Sequence, residues 1–380
     1  MLRLPYATLA ASRQRMKAFN CQLCSQPTYF ENDRCLSCGS QLGYLPEEHN
    51  LVALKKQADG LLYPLENNSR KQGYRVCLNS TAWHACNWLI AADSEAVYCR
   101  SCSLNEIVPD LSVDSNVPLW TKLEAGKRRL LYSLLRLGLP VISKAENPEQ
   151  GMGFRFLKDI SASFRESKTV LTGHSKGIIT INLAEADDAE RERRRLDLNE
   201  VYRTVLGHFR HESGHHYWQL LVANSSELAE FRELFGDERT DYDTAIGNHY
   251  GHGPKKDWKS RYISAYASSH PLEDWAESWA HFITIVDSLE TATEFNVVIT
   301  GNGSKQLFAP LDSYWAASFD ELLEQWLPLT YAVNSINRSS GHGDLYPFVL
   351  CPPAIQKLRF VQQVVHNARF NLASQAGDSQ

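Results

Sequence analysis

No run of eighteen apolar residues occurs anywhere in this chain of 380 residues, so the sequence offers no transmembrane helix. Positive charge is not in excess either. Against 44 Asp and Glu stand 39 Lys and Arg, a net charge of −5, which leaves no general case for nucleic-acid or anionic-membrane binding. Low-complexity sequence is confined to the tail ASQAGDSQ, and no internal repeat shows beyond two cysteine clusters. Cysteine itself almost vanishes after position 102, where only Cys351 remains. Eight of nine cysteines lie between positions 21 and 102, a clustering that suggests metal thiolates in a reducing compartment rather than disulfides. A good signal peptide is lacking as well, because LPYATLAAS is short, weakly apolar and broken by Pro5. We therefore expect a cytoplasmic protein whose native start is Met16, with residues 1–15 disordered or outside it.

The hydrophobic content of 43% is enough to bury a core over two or three domains. The first cluster, CQLC…CLSCG, holds Cys21, Cys24, Cys35 and Cys38, followed by Gly39. Two cysteines separated by two residues form a knuckle whose turn aims both sulfurs at one metal, and Gly39 suits the second turn. Four thiolates fill tetrahedral zinc, so this site should be structural. The second cluster, Cys77, Cys86, Cys99 and Cys102, has knuckle spacing only in its last pair, and His84 rivals Cys86 as a ligand. Segments this short carry little apolar mass, so metal would supply much of their stability. They would either dock a protein partner or substrate, or brace the larger domain.

Polar residues and two prolines in NEIVPDLSVDSNVPLW mark a boundary, after which TKLEAGKRRLLYSLLRLGLP repeats leucine at helical spacing until Gly138 and Pro140. We expect a zinc ribbon over 16–50, a second four-cysteine module with linker over 51–114, and a catalytic domain over 115–380. The fold class expected is α+β, a zincin-like domain preceded by small β-rich zinc modules.

The most informative stretch is GHFRHESGHHYWQLL. On a helix, His211 and His215 stand one above the other and can share one metal, while Glu212 lies beside it. That pattern reads as the zinc-binding helix of a metallopeptidase, with Glu212 taking a proton from the attacking water. Val201, Val205 and Phe209 lead into it at helical spacing, and Asn199 would cap it. A third histidine ten residues after His211 would define a metzincin, but Leu221 stands there.

The third ligand must come from farther along. In SSHPLEDWAESWAHFITIVDSL, Pro271 fits the first turn of a helix, and Leu272, Trp275, Trp279, Ile283 and Val286 form its apolar stripe. Glu273 and Glu277 lie four apart on an adjoining face, and their repulsion falls if a cation sits between them and the motif histidines. We read Glu273 as the ligand and Glu277 as the acceptor for the outer N–H of a zinc histidine. Asp237, Glu238, Asp241 and His281 remain rivals for the metal. GIITINLAE reads as a strand with Ile179, Ile181 and Leu183 on one face, serving as an edge for an extended peptide or as a core strand.

TGHSKGIITINLAEADDAERERRR, GHFRHESGHHYW, FGDERTDYDTAIGNHYGHGP, SAYASSHPLEDWAESWAHF and NRSSGHGDLYPFVL together resemble the bacterial zinc-binding metallopeptidases with an amino-terminal zinc ribbon. The likeness runs from about Met16 to Phe370, and the family's ribbon cysteines match the two clusters above. It supplies no substrate. The spacing of Tyr266, Glu273 and Glu277 after the motif helix is also similar to the lethal-factor type of gluzincin. That resemblance implies that Tyr266 assists the oxyanion and Glu273 binds zinc. The expected activity is zinc-dependent hydrolysis of peptide bonds, with one catalytic zinc and one or two structural ones. The alternative is a non-catalytic ribbon protein that recruits a partner.

Overall fold

Pairing begins at the first cysteine knuckle. The computed structural model describes residues 19–65, 72–159, 172–198, 200–301, 304–306 and 312–377. Residues 1–15 and Asn199, on which expectations were placed above, lie outside these. Strands β1 (Phe19–Asn20) and β2 (Pro27–Thr28) pair antiparallel across the knuckle. A five-stranded antiparallel sheet follows in spatial order β3 (Leu42–Leu45), β4 (Asn50–Lys56), β5 (Leu62–Pro64), β6 (Tyr74–Val76) and β7 (Leu89–Ala91). Helix α1 (Leu78–Trp83) sits between the last two strands. A parallel bridge from Tyr44 to Trp88 draws the two ends of this sheet together, and their buried rings lie 5.0 Å apart. The sheet runs through the boundary expected at residue 50, since β3 and β4 pair across it.

The second half is built around helices. Strand β8 (Asn105–Ile107) leaves the second cysteine cluster and pairs parallel to β9 (Gly153–Leu157), so it belongs to the sheet of the following domain. That sheet has the order β10 (Gly173–Ser175), β11 (Ile178–Asn182), β9, β8. Helix α2 (Asn116–Arg136) realises the leucine periodicity, burying Trp120, Leu123, Leu130, Leu131 and Leu134, and Gly138 at φ 68° breaks the chain direction after it. Its Glu124 and Lys127 are fully buried and paired at 2.9 Å, as buried charges must be. Then come α3 (Asp188–Asp197), α4 (Val205–Leu221), α5 (Leu228–Phe235), α6 (Tyr242–His252), α7 (Trp258–Arg261), α8 (Pro271–Glu294), α9 (Phe319–Ser339) and α10 (Pro352–Gly377). A β-rich region followed by a mainly helical domain is the α+β arrangement expected.

Strand β11 is an interior strand, with β9 on one side and β10 on the other, and it buries Ile179 and Ile181. Among the described residues the edges fall instead to β8 and β10, of which β10 neighbours α4. Of GIITINLAE, Ile178–Asn182 is thus a core strand, while Leu183 begins a 3-10 turn that Asn182 caps by accepting from the Ala184 amide. The alternation of its apolar residues fixed the inward face but carried no information about which strands would flank it.

Candidate metal and active site

Helix α4 starts later than the apolar spacing suggested. The Thr204 hydroxyl accepts a hydrogen bond from the Gly207 amide at 3.0 Å and caps the helix, leaving Val201 exposed outside it. Helix α8 starts at Pro271 as expected, and His270 caps it through Nδ1, which accepts from the Leu272 amide at 3.1 Å. The two helices cross at Gly214, where a Cβ would stand 2.9 Å from the Ala276 Cα. Trp275 Nε1 donates to the Gly214 carbonyl at 2.9 Å, and Trp279 Nε1 to the Ser213 hydroxyl at 3.0 Å. Both tryptophans are buried, so this crossing is rigid and dry.

That crossing sets His211 and His215 against Glu273. Glu273 Oε2 lies 2.9 Å from His211 Nε2, and Oε1 lies 3.4 Å from His215 Nε2. One ligand atom from each of the three residues falls within 4.8 Å of the other two. Ligand atoms held about 2.0–2.1 Å from a tetrahedral zinc would lie about 3.3 Å apart, so the donor set and its spacing fit that ion. Glu277 Oε1 is 2.8 Å from His211 Nδ1, and its other oxygen accepts from the Ser264 hydroxyl at 2.6 Å. Tyr266 stands beside the group with its ring centroid 5.9 Å from that of His211.

The electrostatics point to a place for positive charge. Burial would lower the affinity of His211 for a proton, but its hydrogen bonds to the Glu273 and Glu277 carboxylates outweigh it and raise its pKa well above the usual value. Burial likewise opposes charge on Glu273 and Glu277. The facing imidazoles overcome it and hold both carboxyls below their ordinary range. Glu212 differs: it is 8% exposed, and burial raises its pKa. A carboxylate whose pKa is pushed upward is a stronger base than an exposed one.

The other candidates for third ligand have different partners. Asp237 pairs with Arg239 at 2.7 Å, Glu238 with Arg232 at 2.5 Å, and Asp241 caps α6 by accepting from the Thr244 amide at 2.8 Å. His281 is buried with Nδ1 2.6 Å from the Tyr346 hydroxyl. None of these four stands in the group formed by His211, His215 and Glu273.

The cysteines form two tetrads. Cys21, Cys24, Cys35 and Cys38 converge, with Sγ–Sγ distances of 3.6 Å for Cys21–Cys38 and Cys24–Cys35. Gly39 takes φ 75° and donates its amide to the Cys35 carbonyl, the turn its position called for. Cys77, Cys86, Cys99 and Cys102 converge likewise, with 3.5 Å between Cys86 and Cys99. It is Cys86, not His84, that stands in this group. Sulfurs held about 2.3 Å from one tetrahedral zinc would lie about 3.8 Å apart, far from the roughly 2.05 Å of a disulfide. Amides of Trp88 and Cys99 approach the Cys86 and Cys77 sulfurs at 3.4 Å, the stabilisation a thiolate needs.

With this geometry in view, the relatives are informative. Residues 116–364 match the family profile described as "Putative zinc-binding metallo-peptidase", and residues 18–113 match a zinc-ribbon domain. The chain belongs to this zinc-binding metallo-peptidase family. Three mycobacterial proteins, one from Mycobacterium bovis and two from strains of Mycobacterium tuberculosis, are each 38% identical to it over 352 residues. The matches cover 92% of this chain and 95% of each relative, and all three carry only the description uncharacterized. No solved structure matches. The ribbon profile spans both cysteine tetrads, in keeping with the single sheet that joins them. Among the described residues no helix is long and apolar enough to cross a membrane.

Three further residues at the site escaped sequence reasoning. Tyr242 donates its hydroxyl to Glu273 Oε1 at 2.7 Å. Ser264 supports Glu277. His174, on the edge strand β10, lies nearly parallel to His215 with ring centroids 6.2 Å apart, and its Nε2 accepts from the Gly177 amide at 3.0 Å. No periodicity links these residues to the motif helix, so nothing in the spacing could have found them.

Proposed function

We propose that this chain is a zinc-dependent peptidase whose catalytic metal is held by His211, His215 and Glu273. The observation that carries the reading is the convergence of those three residues beside buried Glu212. Zinc bound there would act as a Lewis acid toward a peptide carbonyl and lower the pKa of a water to ~7. Glu212 accepts the proton of the attacking water and returns it to the leaving amine, a role that its raised pKa supports. Tyr266 faces the developing oxyanion as a hydrogen-bond donor. Glu277, braced by Ser264, fixes the His211 ring so that Nε2 faces the metal. An extended substrate pairs with the edge strand β10, whose His174 stacks on His215.

The two cysteine tetrads carry structural zinc, which makes three metals per chain. Their free thiolates are suited to a reducing compartment, the cytoplasm, and the ribbon serves to brace the catalytic domain or dock a protein substrate. The test is zinc per chain for wild type and His215→Ala, with peptide hydrolysis measured for wild type and Glu212→Gln. The expected result is three zincs falling to two in His215→Ala, and hydrolysis lost in Glu212→Gln with all three zincs retained. Two zincs in both wild type and His215→Ala would overturn the proposal and favour a ribbon scaffold.

A further inference from the structure

Glu273 has a support of its own. A carboxylate that ligates a metal through one oxygen needs a donor for the other, just as a ligating histidine needs an acceptor for its outer N–H. His211 has Glu277 for this purpose, and Glu277 has Ser264. For Glu273 the corresponding donor is the Tyr242 hydroxyl, 2.7 Å from Oε1.

What carries Tyr242 is unusual. From Gly236 to Arg261 no side chain is buried, although the segment contains the 11-residue helix α6. Glycines with positive φ flank that helix, Gly236 at 106° and Gly253 at 83°. An isolated helix of this length is marginal in water, and α6 buries no side chain that would hold it. Among the described residues its side-chain ties lie at the site, while Glu238 and Lys255 outside the helix tie the segment to Arg232, Ser268 and Tyr262. Tyr242 bonds Glu273 and packs its ring 5.2 Å from His270, whose Nε2 is 3.0 Å from the Thr240 carbonyl. Two turns along the same face, His249 packs 5.7 Å from Tyr266.

We propose that Tyr242 is a positioning residue for the metal ligand Glu273, and that metal binding in turn fixes helix α6 over the site. The coupling is reciprocal: if the Tyr242 hydroxyl favours the liganding pose of Glu273, filling the site favours the placement of α6 by the same factor. The inference rests on the reading of His211, His215 and Glu273 as a metal site, but not on hydrolysis.

Two measurements test it. In the first, the affinity of the third zinc is read by competition with a chromophoric chelator in wild type, Tyr242→Phe and Tyr250→Phe, with ribbon zinc left in place. Tyr250 is on the same helix and 57% exposed, so it serves as the control. The expected outcome is affinity weakened about 10- to 100-fold in Tyr242→Phe and unchanged in Tyr250→Phe. In the second, amide exchange of residues 236–261 is compared in wild type with and without the third zinc. Exchange should slow when zinc is present, and this difference should shrink in Tyr242→Phe. Tyr242→Phe affinity within twofold of wild type would overturn the proposal, as would exchange indifferent to zinc. If Tyr242→Phe fails to fold, the wild-type exchange comparison decides alone. Wild type holding only two zincs would sink the metal-site reading itself, a separate result from three zincs with no effect of Tyr242.

Discussion

Glu277 reaches His211 from the far side of its ring: Oε1 lies 2.8 Å from Nδ1, while Nε2 faces Glu273 at 2.9 Å. The imidazole is thus held between two carboxylates. Replacing Glu277 by Gln removes the charge but keeps the shape. We expect zinc affinity at the catalytic site to fall about 10- to 100-fold, with ribbon zinc unchanged. Ser264→Ala should shift affinity in the same direction by less. Chelator competition on the three proteins checks both, and equal affinities would mean that Glu277 plays no part in orienting His211.

Tyr266 should matter to turnover and not to metal. Its hydroxyl takes no place among the three ligand residues, while its ring sits against His211. Tyr266→Phe should lower kcat by about 10²–10³-fold, the usual cost of one oxyanion donor, with zinc content unaltered. Steady-state kinetics beside elemental analysis separates this from a loss of metal.

Gly214 is demanded by the helix crossing, not by flexibility. Alanine there would gain about 1 kcal/mol of helix propensity, but its methyl group would press on the Ala276 backbone at 2.9 Å and on Trp279 at 3.2 Å. Overpacking of this kind costs about 1–3 kcal/mol, and backbone cannot swing aside as a flexible side chain can. We expect Gly214→Ala to lose about 1 kcal/mol net and to bind the third zinc more weakly, because α4 and α8 carry the ligands on opposite sides of the contact. Urea denaturation and zinc titration read the two effects.

Acid should destabilise the fold through its buried imidazoles. Burial pushes the pKa of His49 and of His281 down to about 4, against about 6.5 when exposed in the unfolded chain. Between those values the unfolded chain binds more protons than the native one, so stability is full above pH 6.5 and falls as the pH drops toward 4. For His281 the effect is on the order of 2–3 kcal/mol. His281→Gln removes one such group while retaining a polar partner for Tyr346. Its urea midpoint should decline less steeply than that of wild type between pH 7 and pH 5. Parallel declines would show that His281 is not held neutral.

The second tetrad should be needed for folding of the amino-terminal unit. Cys77, Cys86, Cys99 and Cys102 are all buried in the core shared with Trp88 and α2. Cys99→Ser should release one zinc and destabilise the protein by several kcal/mol, since metal binding is coupled to folding in such modules. Zinc content and thermal melting together check it.

Helical periodicity alone fixed much of this. A helix of about 3.6 residues per turn puts His211 above His215 wherever that segment is helical, and the same rule put Glu273 and Glu277 on one face of α8. Knuckle spacing did as much for Cys21, Cys24, Cys35, Cys38, Cys99 and Cys102, because a two-residue separation closes a turn locally. What local rules could not decide was anything between segments far apart in sequence. Asp237, Glu238 and Asp241 lie nearer the motif than Glu273 does, yet each is engaged by its own neighbours, Arg239, Arg232 and the Thr244 amide.

The sequence by itself determined which helix carries the two histidines, which cysteines close knuckles, and which face of β11 is apolar. Only the tertiary structure decided that Glu273 meets His211, that Cys86 rather than His84 joins the second tetrad, that β10 is an edge and β11 interior, and that Tyr242 reaches the site. The division follows from range. Hydrogen-bonded periodicity acts over four residues and is written in the local sequence. The meeting of α4 with α8 depends on how tryptophans and one glycine pack across more than sixty residues of chain.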